Sequence, residues 1–113
     1  MKAFDIARLL SEQYQRDQCY IEFLHTNALS LGVYVLPEGA VDTQKPHAED
    51  EVYYVVNGQG VIRVGDEDRP VSPGSIVYVP AGQKHYFYHI TKELKALVFF
   101  APAQVLDGHS AVV

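Results

Sequence analysis

The sequence predicts an all-β domain, a closed or double-sheet barrel preceded by one short helix. About eight or nine short runs, rich in β-branched and aromatic residues and bounded by Gly, Pro or Asn, follow one another at regular spacing. Helical periodicity is confined to the N-terminus. A length of 113 residues suffices for one buried core but not for two.

The N-terminal segment predicts an amphipathic helix over residues 4–14. Polar residues such as Arg8 and Glu12 separate apolar residues that recur at near-helical spacing. These apolar residues are Phe4, Ile6, Ala7, Leu9, Leu10 and Tyr14. Because Asp5 and Arg8 interrupt the apolar stretch, we do not expect a secretory signal here.

The remaining elements are predicted as strands that end at turn residues. The predicted strands are 20–26, 29–36, 52–56, 61–64, 69–71, 75–79, 85–90 and 94–100. Asn57-Gly58, between the third and fourth of them, is a strong signal for a hairpin. We therefore expect three parts: the helix and its lead-in over 1–19, the barrel over 20–102, and a loosely ordered tail over 103–113.

The composition limits the partners that the chain can have. A formal net charge of −5 gives no basic patch for nucleic acid or an anionic membrane. No apolar run approaches the roughly 20 residues that a membrane helix needs. The single cysteine, Cys19, cannot form an internal disulfide and fits a reducing cytoplasm. We expect a cytoplasmic protein whose partner is a small molecule.

Strand 52–56 is apolar on both faces, which predicts a second subunit. Tyr53 and Val55 share one face with Glu51, while Val52, Tyr54 and Val56 occupy the other face, which we expect to point outward. The outer face of a barrel strand should be polar unless a helix, another sheet or a partner covers it. We favour a homodimer.

Ligand-type side chains lie in two segments, each joined to a strand and a glycine turn. His47 and Glu51 come just before strand 52–56, and His85 follows the turn after strand 75–79. Two imidazoles and one carboxylate suit Zn²⁺, Fe²⁺, Mn²⁺ or Ni²⁺ and leave coordination positions open. In the alternative interpretation, the histidines are hydrogen-bonded loop residues and Glu51 is a solvated charge.

The spacing of these segments is similar to that of a known family. Gly39…His47-x3-Glu51-x6-Gly58 and Gly74-x5-Pro80-x-Gly82-x2-His85 resemble the two conserved motifs of the cupin superfamily. The resemblance covers roughly residues 33–100. It implies a small single-domain cupin, with a double-stranded β-helix (jelly-roll) barrel in which the two motifs bring their metal ligands together.

The chain departs from the family pattern at one ligand. The family's first motif carries His-x-His before the glutamate, and the first of these histidines falls on Lys45. A lysine ammonium is a poor metal ligand. A bulge at Pro46 would turn Gln44 inward instead, and a glutamine carbonyl oxygen is an acceptable ligand. We therefore predict Gln44 as a fourth ligand; in a regular strand, Lys45 would face the site and hold a substrate carboxylate.

Other side chains are candidates for roles around the site. By period two, His89 shares the face of His85 and is expected to enter the barrel as a proton shuttle, an outer partner or a core histidine. Tyr53, Tyr78 and Phe87 are candidates for lining a pocket. Glu49 and Asp50 are interpreted as solvated loop charges.

Three functional classes remain open because one fold hosts many activities. The first is a metal-dependent enzyme that acts on a small molecule, with dioxygenase-type or isomerase chemistry. The second is a non-catalytic module that binds a small molecule or metal, and the third is a metal-free structural barrel. We favour a metal-binding protein, with dioxygenase-type chemistry as the enzymatic hypothesis.

Overall fold

The computed structural model describes residues 1–16, 19–42 and 46–105. One helix, α1 (Ile6–Arg16), precedes the strands in this part of the chain. The strands are β1 (Tyr20–His25), β2 (Ser30–Leu36), β3 (Asp50–Val64), β4 (Glu67–Val71), β5 (Ile76–Val79) and β6 (His85–Ala101). They pair antiparallel in the order β1-β2-β6-β3-β4, and β5 also pairs with β3. The predicted all-β jelly-roll barrel is confirmed.

β3 is a single strand of 15 residues that passes through the predicted hairpin turn. Gly58 has a φ of +97°, and the pairing of β3 with β6 shifts register several times around it. Bulges bend a strand and let it pass from one sheet to the other at a barrel corner. The hairpin prediction is therefore wrong, because Asn57-Gly58 forms a bulge inside one bent strand.

β6 is likewise one strand of 17 residues where the sequence predicted two. His89, near its middle, has a φ of +49° and is the only non-glycine residue in the described ranges with a positive φ. Phe87 and Ile90 are buried on either side of it, whereas His89 is exposed. The expectation that His89 enters the barrel is wrong, because this kink, rather than strand alternation, sets its direction.

Apolar side chains from all six strands fill the barrel interior. They include Tyr20, Tyr34, Leu36, Tyr53, Val55, Ile62, Val71, Val79, Phe87, Ile90, Leu94, Ala96, Val98 and Phe100. On β3, Glu51 and Tyr53 are buried while Tyr54 is 40% exposed. The predicted inner and outer faces of this strand are confirmed.

α1 lies against the β1–β2 end of the sheet. It begins and ends two residues later than the predicted range of 4–14. Gln13 is a buried residue of this helix, and its side-chain amide donates to the Val33 carbonyl of β2 over 3.2 Å. Just before the helix, the Phe4 ring packs edge-on against Phe23 with 4.9 Å between ring centroids. Within the described residues, no helix is long and apolar enough to cross a membrane.

Candidate metal centre

Hydrogen bonds hold together the two segments that carry the ligand-type residues. The Gly82 amide donates to the His47 carbonyl over 2.6 Å. Asp50 Oδ1 accepts from the Ala81 amide over 2.9 Å and from the Tyr78 hydroxyl over 3.2 Å. The turn after β5 is thus fastened to the chain leading into β3, and this brings the two motifs together.

His47, Glu51 and His85 converge between these segments. Each offers one ligand atom, and the three atoms all lie within 4.8 Å of one another. Glu51 is the second residue of β3 and His85 is the first residue of β6, its neighbour in the sheet. Glu51 and His85 are each 1% exposed, and His47 is half-buried. The structure therefore gathers two imidazoles and one carboxylate at one place inside the barrel.

The ring of His85 is oriented by a backbone carbonyl. Its Nδ1 lies 2.9 Å from the Gln83 oxygen, which can only accept, so Nδ1 carries a proton. Its Nε2 lies 3.0 Å from Glu51 Oε1. In neutral His85, the lone pair of Nε2 would face an anionic oxygen. The close pair therefore requires either a proton between Nε2 and Oε1 or a metal ion bound to both groups.

The charge around His85 favours its protonated form. Burial lowers the pKa of His85, but the hydrogen bond and negative charge of Glu51 outweigh burial. The Gln83 carbonyl and the charge of Asp42 act in the same direction as Glu51. The pKa of His85 consequently lies above its ordinary value, and a metal ion would have to displace a proton.

His47 also contributes a ring nitrogen to the cluster. Its Nε2 is buried and has no hydrogen-bond partner among residues 1–16, 19–42 and 46–105. Both oxygens of Glu51 are buried as well, and His85 Nε2 and the Tyr53 hydroxyl are donors that lie beside this carboxylate in the same ranges. Buried polar atoms without partners cost free energy. A divalent ion would satisfy these atoms together, so the donor set fits a metal of the Zn²⁺, Fe²⁺, Mn²⁺ or Ni²⁺ class.

Aromatic rings pack against both histidines of the cluster. Phe100 packs edge-on against His47 at 5.3 Å between ring centroids, and Tyr53 lies 6.1 Å from His85. Burial, and then the negative charge of Glu51, raise the pKa of Tyr53 well above its ordinary value, so it remains a neutral phenol. An apolar surrounding strengthens the attraction between a cation and these ligands.

The other predicted site residues have different fates. Gln44 and Lys45 lie outside the described residues, so a fourth ligand at Gln44 stays a prediction. Tyr53 and Phe87 are fully buried, but Tyr78 is 57% exposed and faces outward, since Val77 and Val79 take the inner positions of β5. Glu49 is buried rather than solvated, at 9% exposure. Asp50 is exposed, but its carboxylate is bonded to the turn after β5.

Two residues near the cluster carry no signal in the sequence. Asp42 accepts hydrogen bonds from the Phe87 amide over 2.7 Å and from the Tyr34 hydroxyl over 2.8 Å. Gln104 follows β6, in the segment expected to be a loose tail, yet it is 4% exposed and lies 3.3 Å from His47. Both follow glycine- or proline-containing stretches without periodicity, where no pattern distinguishes a bonded polar residue from a solvated one.

Comparison with known proteins supports the same fold. An uncharacterized protein of Streptomyces coelicolor is 48% identical over 104 residues, which are 92% of this chain and 99% of that protein. An oxalate-binding protein of Thermotoga maritima is 31% identical over 65 residues, 57% of this chain and 54% of that protein. The crystal structure of TT1209 from Thermus thermophilus has a TM-score of 0.76 at 27% identity, covering 91% of this chain and 99% of that one.

A family model also matches the barrel directly. The model described as the cupin domain matches residues 32–101, from β2 to the end of β6 and therefore more than half of the chain. Both glycine-bounded motifs and all three converging side chains fall inside this range. On these grounds, the chain belongs to the cupin family.

Proposed function

We propose that this cupin binds one divalent metal ion through His47, Glu51 and His85, and that the ion's open positions hold a small molecule with oxygen donors. The observation that carries the proposal is the buried Glu51–His85 contact of 3.0 Å. With its Nδ1 proton committed to the Gln83 carbonyl, His85 meets Glu51 at this distance through a proton between the two groups, and a metal ion bound to both would take that proton's place.

Each residue has a distinct task in this proposal. The Gln83 carbonyl fixes the His85 ring so that Nε2 faces the ion. Glu51 supplies the negative charge that offsets part of the ion's charge inside the barrel. When bound, a divalent ion would supply Lewis acidity and, if it is iron or manganese, redox chemistry of the dioxygenase type. Tyr53 and Phe100 limit the access of water from the inner side.

The charge balance favours an anionic ligand. Two neutral histidines and one carboxylate leave a divalent ion with one net positive charge. A small carboxylate would neutralise that charge and occupy two open positions at once. The similarity to an oxalate-binding protein supports this ligand class. A non-catalytic module that binds a metal and a carboxylate is the alternative to an enzyme, and it needs fewer side chains than catalysis would.

Calorimetric titration of oxalate tests this function. We expect oxalate to bind protein loaded with Mn²⁺ or Zn²⁺ and to bind metal-free protein at least tenfold more weakly. Oxamide, which has a similar shape but no charge, is the matched control and should bind the loaded protein more weakly than oxalate. Equal oxalate binding by loaded and metal-free protein would refute a ligand site on the metal.

Metal uptake should depend on pH. Below its raised pKa, His85 is protonated and must release a proton before Nε2 can bind an ion. The apparent affinity for Zn²⁺ should therefore rise with pH by up to about tenfold per unit until the pH exceeds that pKa, which lies above 6.5. Calorimetry at pH 6 and pH 8, in two buffers with different ionisation enthalpies, would measure the proton release. An affinity that does not change between these pH values would contradict this expectation.

The protein should be a homodimer that buries the outer face of β3, β5 and the end of β6. Tyr54, Ile76, Tyr78 and Phe99 are 40%, 64%, 57% and 37% exposed. The strand pairings Tyr54↔Ile76, Val52↔Tyr78 and Val52↔Phe99 place these residues side by side on one face. Apolar patches of this kind on a single face mark interaction surfaces.

The mass of the assembly, measured for wild type and for a variant of this face, tests the interface. Light scattering should give twice the chain mass of 12.6 kDa for the wild type, and Ile76→Lys should shift it towards the monomer. Val41→Lys is the matched control, since Val41 is 83% exposed and is not part of this face. A wild-type protein that is monomeric at micromolar concentration would contradict the dimer.

A further inference from the structure

Gln104, three residues after the end of β6, contacts one histidine of the candidate metal centre. Its side-chain Nε2 lies 3.3 Å from His47 Nδ1. Its backbone amide donates to Ser30 Oγ over 2.9 Å, and Ser30 is completely buried. Both Gln104 and Ser30 lie outside the range 32–101 that the family model matches. Segments on either side of the family's barrel therefore meet behind one of its ligands.

The orientation of the Gln104 amide decides which nitrogen of His47 is available to a metal. A glutamine amide presents a donor at its nitrogen and an acceptor at its oxygen. In the geometry described, Nε2 of Gln104 can only donate, so Nδ1 of His47 accepts and the ring proton resides on Nε2. Binding of a metal at Nε2 requires the other tautomer, in which Nδ1 carries the proton and needs an acceptor.

We propose that Gln104 is a positioning residue for His47, whose amide turns by half a rotation between two states. In the metal-free state, its nitrogen donates to Nδ1. In the metal-bound state, its oxygen accepts the Nδ1 proton and leaves the Nε2 lone pair for the ion. The second state rests on the proposed metal function, whereas the first rests only on the contact between Gln104 and His47.

The backbone hydrogen bond to Ser30 makes such a rotation feasible. Because the Gln104 backbone N–H donates to a buried hydroxyl, the residue stays beside His47 in either orientation of its side-chain amide. The terminal torsion of that side chain is broad and has similar energies in two opposite orientations. Burial also restricts competition from water for the same ring nitrogen, since Gln104 is 4% exposed.

Two substitutions at Gln104 separate donor from acceptor. Gln104→Leu removes both functions at nearly constant volume, and Gln104→Glu retains only the acceptor. Gln13→Leu is the matched control, because Gln13 is another buried glutamine whose amide holds α1 to β2. The readouts are the ¹⁵N chemical shifts of the His47 ring in metal-free protein and the Zn²⁺ affinity measured by competition with a chelator.

In the wild type, we expect the ring proton of His47 to be on Nε2 when the protein is free of metal and on Nδ1 when Zn²⁺ is bound. Gln104→Glu should already place it on Nδ1 without metal and should keep the wild-type affinity or exceed it. Gln104→Leu should give mixed tautomers and bind Zn²⁺ roughly 10- to 100-fold more weakly. Gln13→Leu should change neither readout.

The outcomes distinguish this inference from the proposed function. The positioning role would be overturned if His47 has the same tautomer in wild type and in Gln104→Leu. It would also be overturned if Gln104→Leu binds Zn²⁺ with an affinity within twofold of that of the wild type. If the wild type binds no Zn²⁺, the proposed function fails together with the metal-bound state. The ¹⁵N shifts of metal-free wild type and Gln104→Leu would still decide whether Gln104 sets the tautomer.

Discussion

Replacing His85 by alanine should abolish measurable metal binding. His85 contributes one of three converging ligand atoms and faces Glu51 at 3.0 Å. Removing it should cost more than the roughly 100-fold in affinity that loss of an outer partner costs. The substitution should also lower the stability of metal-free protein, since an unpaired buried charge at Glu51 costs about 3–5 kcal/mol. Zn²⁺ titration and thermal unfolding measure the two effects.

A second substitution separates loss of the ligand from loss of the fold. His85→Gln retains a hydrogen-bond donor for Glu51 and should fold better than His85→Ala, while its neutral amide remains a much weaker ligand. His25→Ala is the matched control, because His25 is exposed and its ring bonds only to Glu22 among the described residues. Wild-type Zn²⁺ affinity in folded His85→Gln would show that His85 is not a ligand.

Replacing Gly58 by alanine should destabilise the barrel more than the same substitution at Gly74. Gly58 combines a φ of +97° with close packing, since a Cβ there would overlap the Glu93 carbonyl and approach Leu94 Cα. The left-handed conformation costs a non-glycine residue about 1–2 kcal/mol, and an overlap with backbone adds about 1–3 kcal/mol. Urea unfolding should therefore show a loss of about 2–5 kcal/mol.

Gly74 provides a matched control for the conformational part of this effect. Its φ is +94°, almost the same as that of Gly58, but an added Cβ would meet nothing within 4 Å. Gly74→Ala should therefore cost only the conformational share of about 1–2 kcal/mol. If both substitutions have the same effect, the close approach of β3 and β6 at Gly58 is not what requires glycine.

The sequence predicted the barrel because its strongest signals are local. Alternation along β3 identified Glu51 and Tyr53 as inward and Tyr54 as outward, and burial confirms all three. The glycine-bounded spacing around His47 and His85 was specific enough to identify the family. These features depend only on residues that are close together in the chain, so they can be recognised in a single sequence.

The corners of the barrel could not be predicted from the same patterns. Asn57-Gly58 favours a two-residue hairpin in isolation. In the barrel it bends β3, because β6 pairs with the strand on both sides of the bulge. His89 is turned outward by a similar long-range constraint on β6. Whether a flexible pair of residues closes a turn or makes a bulge depends on a partner strand that is distant in sequence.

Around the site, the sequence identified ligand-type residues but missed their supports. His47, Glu51 and His85 lie within reach of one ion, and their role as metal ligands stays a prediction. Gln104 approaches His47 across 57 residues of sequence, and no periodic pattern connects the two. Such supports can be found only when the fold has already placed distant segments beside each other.

Metal analysis of the full chain, purified without an affinity tag or added metal, tests the central claim most directly. Mass spectrometry of the elements should find close to one ion of Fe, Mn, Ni or Zn per chain in the wild type, and almost none in folded His85→Gln. The claim would be contradicted by a wild type that carries no metal and takes up none on titration, or by equal metal content in the two proteins.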